Sequence, residues 1–89
     1  MKIFYQKKFK KELDKQRKRG KDDRKLKKVL QMLISGEPLP IRYKNQKLVG
    51  NFKNRWECHI EPDWLLIYKI TKEELVLERT GTHSDLFKK

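Results

Sequence analysis

The sequence predicts an α+β domain: an N-terminal strand followed by a basic helical hairpin that packs on a small, mostly antiparallel sheet. Apolar residues repeat with helical spacing up to residue 36, and short apolar runs separated by turn residues follow up to residue 79. The 89 residues leave room for one compact core and no second fold, so we treat 1–89 as a single domain. The helices have narrow apolar stripes, which require a sheet to cover them.

The first strand and the first helix are predicted from the first twenty residues. Residues 2–6, "KIFYQ", are short, apolar and aromatic, as is typical of a strand. Phe9 and Leu13 then stand four residues apart in a lysine-rich segment, which indicates a thin helix with one apolar stripe. Gly20 follows where a helix is expected to end.

The second helix is the most regular segment of the sequence. Asp22 or Asp23 is a suitable N-cap, and Gly36 followed by Pro38 ends the segment. Four apolar residues between them lie at i, i+3, i+4 and i+7: Leu26, Val29, Leu30 and Leu33.

The remaining segment predicts a sheet, with turns at "GNFKN", "EPD" and "TKEE". In "RWECHI" the apolar residues alternate with Glu57 and His59, so His59 is expected on the face opposite the core. Residues 64–70, "WLLIYKI", are apolar at nearly every position, as in a central strand covered on both faces. "ELVLER" predicts a last strand with Arg79 on the same face as its leucines.

The charge of the chain indicates a polyanionic partner. The formal net charge is +12, and residues 1–31 alone hold 14 basic and 4 acidic residues. The remaining residues hold 10 basic and 8 acidic ones. The helical hairpin is therefore expected to contact nucleic acid through phosphates, without reading sequence.

Several classes of protein are excluded or disfavoured by composition. No apolar segment is long enough to span a membrane, and no apolar signal follows the basic start, so we expect no membrane partner. Cys58 is the only cysteine, which excludes an internal disulfide and favours a cytoplasmic location. One cysteine and two histidines are too few for a dedicated zinc cage, so no metal site is predicted.

Two segments contain groups that can transfer protons. "ECHIEPDW" at 57–64 has a histidine among three carboxylates, and "RTGTH" at 79–83 has Gly81 between an arginine and the second histidine. Each also has an ordinary structural interpretation: a histidine on an exposed strand face, a turn at "EPD", a tryptophan in the core and a surface arginine. These alternatives stay open when the residues are considered alone.

"HIEPDWLLIYKI" and "LERTGTHSDLF" resemble the YafQ branch of the RelE/ParE superfamily of type II toxins, and the resemblance covers nearly the whole chain in element order. It implies a RelE-like fold and a ribosome-dependent, metal-independent endoribonuclease that cuts messenger RNA in the ribosomal A site. It also implies a cognate antitoxin protein that holds the toxin inactive, and no small-molecule cofactor.

The resemblance also implies which residues form the site. Gln46 departs from the family pattern, because relatives with "KDHPL" have a histidine there, and glutamine cannot carry a proton between oxygens at neutral pH. The implied catalytic residues are His59, Asp63, Arg79 and His83, and the implied substrate-binding residues are Trp64, Phe87 and Gln46.

The chemistry of RNA cleavage suits these residue types. The reaction needs a base for the 2′-hydroxyl, a cation for the phosphorane charge and an acid for the leaving 5′-oxygen. His59 or His83 suits either proton transfer, Asp63 is an alternative base or orients an imidazole, and the sequence does not decide between them. Arg79 suits the charge, since a guanidinium can contact two phosphate oxygens. Trp64 and Phe87 suit stacking on a nucleobase.

Three alternative functions remain on sequence grounds: a non-catalytic basic module that binds nucleic acid, a ParE-like toxin that inhibits DNA gyrase, and a structural ribosomal protein. The binding module agrees with the composition but does not explain an arginine and a histidine flanking Gly81. A gyrase inhibitor does not need the acid–base residues.

Overall fold

The computed structural model describes residues 1–50 and 54–87, and its architecture is the predicted α+β one. The elements are β1 (Lys2–Tyr5), α1 (Lys7–Lys18), α2 (Asp23–Ser35), a 3-10 turn (Ile41–Tyr43), β2 (Gln46–Lys47), β3 (Trp56–Glu61), β4 (Trp64–Ile70), β5 (Glu74–Gly81) and α3 (His83–Leu86). The sheet has the order β1-β5-β4-β3-β2, in which β1 is parallel to β5 and the other pairs are antiparallel.

Both helices of the hairpin form where the sequence predicts them. Asp22 caps α2, since its Oδ1 accepts a hydrogen bond from the backbone N–H of Arg24 at 2.9 Å. Gly36 ends this helix with a φ of 77°, a left-handed conformation that favours glycine. α1 ends at Lys18, just before Gly20. Within the described residues, no helix has the length and apolar character that crossing a membrane requires.

The main core lies between the two helices and one face of the sheet. Phe9 and Leu13 of α1 and the four apolar residues of α2 are buried in it, as predicted. β4 is the middle strand of the five and its residues 64–68 are all buried. A second, smaller cluster of Leu65, Ile67 and Leu86 covers the opposite face of this strand, so its two-sided burial is confirmed.

The C-terminal part differs from the sequence prediction in two ways. β5 continues to Gly81, two residues past the predicted end of the strand at Arg79. Glu78 is skipped in the pairing with β4, and this bulge breaks the strict alternation on which the predicted face of Arg79 depended. The short helix α3 was not predicted. The predicted turn at residues 50–54 lies largely outside the described residues, since 51–53 belong to the part not described.

Candidate active site

Two histidines meet at one end of the sheet. β3 and β4 are joined by the two-residue turn Pro62 and Asp63, so the predicted "EPD" turn is present. His59 lies on β3, three residues before this turn, and His83 is the first residue of α3. The centroids of the two imidazole rings are 5.4 Å apart, and the ring planes are inclined by 60°. Residues separated by 24 positions in the sequence are thus adjacent.

Asp63 holds His83 through two contacts. Its Oδ1 accepts a hydrogen bond from the backbone N–H of His83 at 2.9 Å and lies 2.6 Å from the Nδ1 atom of the ring. These bonds, the backbone one first, hold the pKa of Asp63 below its ordinary value. Because an ionised carboxylate only accepts, Nδ1 carries the ring proton, and Nε2 of a neutral His83 is a free acceptor.

His59 is held differently, because both of its ring nitrogens face oxygen acceptors. Nδ1 lies 3.2 Å from the carbonyl oxygen of Pro62, and Nε2 lies 3.7 Å from Oε2 of Glu57. The ring is on the face opposite the main core, as predicted, but only 12% of its side chain is exposed. A protonated imidazole satisfies both acceptors.

Glu57 is a site residue that sequence reasoning missed. Its carboxylate is buried beside His59 and accepts a hydrogen bond from Nε2 of Gln46 at 3.0 Å. Gln46 is therefore at the site, where it contacts a carboxylate. The signal for Glu57 was in the sequence: residues i and i+2 of a strand share a face, and the same alternation that placed His59 also places Glu57 beside it.

The position of α3, and with it His83, is fixed by Asp85. This carboxylate accepts hydrogen bonds from the backbone N–H of Thr82 at 3.0 Å, from Arg19, the residue after α1, at 2.8 Å and from Gln16 of α1 at 3.2 Å. Thr82 completes a capping box by accepting from the Asp85 backbone N–H. The Arg19 bond first, and then the Thr82 bond, hold the pKa of Asp85 well below its ordinary value.

Gly81 allows this close packing. A Cβ atom at this position would lie 2.9 Å from the Cβ atom of Asp85 and 3.0 Å from its Oδ2. A larger residue would push the start of α3 away from the strand end. The glycine in "RTGTH" is therefore required by the approach of Asp85 as well as by the backbone.

Arg79 is not free in the structure, which corrects its predicted placement. Its Nε atom lies 3.0 Å from both carboxylate oxygens of Glu12 on α1, and its Nη2 atom lies 2.7 Å from one of them. The backbone N–H of Thr80 also donates to Glu12, at 3.2 Å. The charge of Arg79 is thus compensated within the chain, in a partly buried ion pair that joins α1 to β5.

Of the two aromatic residues expected to stack on a base, Trp64 does not suit the role. It is fully buried in the main core, and its indole N–H donates to the hydroxyl of Thr80 at 2.9 Å. No face of its ring is open to a nucleobase, so the structural interpretation of Trp64 is the correct one. Phe87 is half-buried and packs against the smaller cluster, which leaves part of the ring exposed near α3.

The described part of the chain contains no group of three or more histidine, cysteine, aspartate or glutamate side chains placed to hold a metal ion. The gathered groups are instead two imidazoles, each next to a carboxylate, at the end of a basic α+β domain.

The site is thus a pair of histidines at one end of the sheet of a small basic α+β domain, and the comparison with known families gives the class of protein. The family described as "Bacterial toxin of type II toxin-antitoxin system, YafQ" matches residues 1–88. The chain belongs to this YafQ toxin family. The resemblance inferred from the two motifs is confirmed, and the gyrase-inhibiting alternative loses its support.

Known relatives align with almost the whole length of this chain. The mRNA interferase toxin YafQ of Escherichia coli K12 is 45% identical over 86 residues, which cover 96% of this chain and 94% of the relative. The toxin in the E. coli DinJ–YafQ toxin–antitoxin complex superposes with a TM-score of 0.88 at 45% identity, over 96% of this chain and 94% of that one.

A third relative comes from another organism. A copper-bound mutant toxin from Helicobacter pylori superposes with a TM-score of 0.94 at 40% identity, over 98% of this chain and 99% of that one. The strand order and helix positions of this chain are therefore those of an established fold. The predicted RelE-like α+β architecture is confirmed.

Proposed function

We propose that this chain is the toxin of a type II toxin–antitoxin system and an mRNA interferase, a ribosome-dependent endoribonuclease that acts by attack of the 2′-hydroxyl. The observation that supports it most is the pair of histidines 5.4 Å apart, whose ring nitrogens are held in different ways. The name of the E. coli relative, mRNA interferase toxin, supports the same activity. In this proposal one domain, residues 1–89, acts in the cytoplasm and carries both the chemistry and the ribosome contacts.

The arrangement of His83 suits the base. Asp63 fixes the proton on Nδ1, and the free Nε2 then accepts the proton of the 2′-hydroxyl as that oxygen attacks phosphorus. This is the role that an aspartate has beside a histidine base in other hydrolytic enzymes, where it selects the tautomer and stabilises the imidazolium that forms.

The arrangement of His59 suits the acid. The carbonyl oxygen of Pro62 accepts from Nδ1–H, and Nε2 points toward the Glu57 carboxylate. At 3.7 Å this carboxylate forms no hydrogen bond with Nε2, so a proton on Nε2 is available to the 5′-oxygen as the phosphorus–oxygen bond breaks. The products are a 2′,3′-cyclic phosphate and a 5′-hydroxyl, and every proton is carried by the protein's own groups.

Arg79 and Phe87 complete the proposal. Arg79 stabilises the phosphorane only if the phosphate displaces Glu12 from its guanidinium, because Glu12 occupies two of its donor groups in the structure. Phe87 stacks on an exposed base beside α3. Gln46 positions Glu57 and does not transfer a proton.

The test is cleavage of one defined mRNA under three conditions: alone, on programmed ribosomes, and on programmed ribosomes with a 2′-deoxy nucleotide at the cleaved position. We expect cleavage only in the second condition, with a 2′,3′-cyclic or 3′-phosphate end. Equal cleavage of free mRNA would contradict ribosome dependence. Cleavage of the 2′-deoxy substrate would contradict the mechanism, and no cleavage in any condition would leave a nucleic-acid-binding module as the better account.

We also propose a cognate antitoxin protein as partner, as the E. coli relative has in DinJ. Its acidic surface would meet the basic hairpin, and a segment would cover the sheet end near His59 and His83. The gene neighbouring this one is the source of the candidate. Co-expression should give a complex that survives purification and does not cleave mRNA, whereas a candidate that binds without inhibiting would contradict docking at the histidines.

A further inference from the structure

An open groove of about 470 Å³ begins at His59 and runs between α2 and the 3-10 turn. This volume is within the range of small-ligand sites. One wall is formed by α2, the other by the 3-10 turn, and the end by the β3–β4 turn. The lining residues are Lys25, Lys28, Arg42, Tyr43, His59, Ile60, Glu61 and Pro62.

Glu61, the last residue of β3, fixes the wall formed by α2 to the strand that carries His59. This carboxylate accepts from Nζ of Lys21 at 2.9 Å and from Nζ of Lys25 at 2.7 Å. The two bonds, that of Lys25 first, hold the pKa of Glu61 below its ordinary value. The charge of Lys25 is therefore compensated, whereas Lys28 is exposed and forms no ion pair with any carboxylate in the described part of the chain.

The opposite wall presents a second uncompensated cation. The guanidinium of Arg42 lies 4.9 Å from the centroid of the Tyr43 ring, and its Nη2 donates to the Tyr43 hydroxyl at 2.9 Å. Tyr43 is buried, so this stacking holds an exposed arginine in place. Among residues 1–50 and 54–87, no carboxylate pairs with Arg42, and its remaining N–H groups are open to a ligand.

We propose that this groove binds the sugar–phosphate backbone of the messenger RNA beside the cleaved bond, with Lys28 and Arg42 contacting phosphates on its two sides. The proposal rests on the proposed endoribonuclease function. Two facing cations without acidic partners suit a polyanion. The ring of His59 lies on the face of β3 opposite the main core, but His59 also lines the groove where the edge of β3 is not covered by β2, so a strand held in the groove ends beside the catalytic residue. For this reason we assign the groove to the RNA that is cut and not to ribosomal RNA.

Substrate binding predicts a specific kinetic effect. Removal of one side chain that binds a phosphate should raise the toxin concentration that gives the half-maximal cleavage rate by about tenfold, since a hydrogen bond to a charged group is of that strength. The rate at saturating toxin should change by less than about threefold, because the proton-transfer groups stay in place.

The experiment compares Lys28→Ala and Arg42→Ala with Lys27→Ala, in single-turnover cleavage on programmed ribosomes. Lys27 is a matched control: it lies on the same helix, is exposed, carries the same charge and does not line the groove. Arg42→Lys is added as a milder variant that keeps the charge. Thermal melting shows whether each variant is folded. We expect the half-maximal concentration to rise about tenfold for the two groove variants and clearly less for Lys27→Ala, because Lys27 carries the charge of the hairpin but lies outside the groove.

A binding measurement separates the two kinds of RNA. Affinity for ribosomes with an empty A site should be the same for the groove variants and for Lys27→Ala. If the groove variants lose this affinity in proportion to their loss of cleavage, the groove contacts ribosomal RNA and the proposal is wrong. It is also wrong if all three variants cleave alike. If the wild type does not cleave at all, the proposed function itself fails, and the groove assignment fails with it.

Discussion

At the scale of single residues, the site is defined by which acceptor each ring nitrogen faces. Asp63 accepts a hydrogen bond from Nδ1–H of His83, while Pro62 and Glu57 face the two nitrogens of His59. From the sequence alone, either histidine suits the role of acid or of base. These neighbours are what distinguishes the two roles. Because of these neighbours, we expect variants of the two histidines to respond differently to a change in the substrate.

His59→Ala and His83→Ala should each lower the single-turnover rate on ribosomes by about 10² to 10³, as expected for loss of one proton-transfer group. A substrate with sulfur in place of the leaving 5′-oxygen needs no acid, because a thiolate leaves without being protonated. With this substrate His59→Ala should recover most of its rate and His83→Ala should not. The reverse pattern would exchange the two roles.

Arg79→Ala should reduce stability as well as activity, because it leaves the Glu12 carboxylate partly buried without its partner. We expect a loss of about 1 to 3 kcal/mol in the free energy of unfolding, measured by urea titration. Arg17→Ala is the matched control, since its guanidinium is about half exposed and should contribute less than about 1 kcal/mol. Equal stability of the Arg79 variant and wild type would mean that the ion pair with Glu12 is not maintained in solution.

At the scale of elements, α1 has a structural task in addition to its charge. Glu12 binds Arg79 and the backbone of Thr80, while Arg19 and Gln16 bind Asp85 at the start of α3. The helix thus holds the end of β5 and the turn that carries His83. Substitutions on its inward face are expected to change the geometry of the site, and substitutions on its outward face are expected to change only binding.

Asp85→Asn should weaken this connection in a pH-dependent way. The pKa of Asp85 is lowered in the folded chain, so its charge stabilises the fold above the unfolded pKa of about 4, and this contribution is lost as pH falls through the folded value. At pH 7 we expect a loss of about 1 to 2 kcal/mol in unfolding free energy, and a smaller difference from wild type below pH 4.

Urea titrations at several pH values provide the measurement, with Asp14→Asn as control because Asp14 is exposed and its ion pair, with Arg17, is also exposed. A difference between Asp85→Asn and wild type that stayed constant down to pH 3 would show that the charge is not its cause.

The hairpin and the central strand could be predicted from the sequence because their signals are local: helical spacing, an aspartate cap, a glycine end and a continuous apolar run. The burial of Trp64 agrees with the predicted central strand, whereas the placement of Arg79 could not be predicted this way. A bulge at Glu78 changes the alternation, and the partner of Arg79 is 67 residues away on another element. The groove was missed for the same reason, since Lys28, Arg42 and His59 meet only in the folded chain.

At the scale of the whole molecule, exposed positive charge lies in two separate places. Lys7 and Lys11 of α1 form no ion pair within residues 1–50 and 54–87 and do not line the groove beside His59, so in the proposed function they are available to ribosomal RNA while the groove holds the substrate. This division predicts that ribosome binding and cleavage respond to different substitutions.

Replacing Lys7 and Lys11 by glutamine should reduce the salt dependence of ribosome binding. The slope of log affinity against log salt concentration should fall in magnitude by about 2, close to one for each phosphate that is no longer neutralised. Lys72→Gln, in the β4–β5 turn, is the control and should leave the slope unchanged. An unchanged slope for the double variant would show that the outer face of α1 does not contact RNA.

The parallel pairing of β1 with β5 has a consequence for synthesis of the chain. Residues Lys2–Tyr5 pair with residues 74–77, which are made about 70 residues later, so the edge strand has no partner until most of the domain has been translated. Phe9 and Leu13 likewise pack with Leu75 and Leu77 in the completed core. A nascent chain shorter than this keeps its N-terminal strand and helix exposed, and it has no His83 to set beside His59. Cotranslational folding therefore ends with the assembly of the site. An incomplete chain is neither fully folded nor active as a toxin.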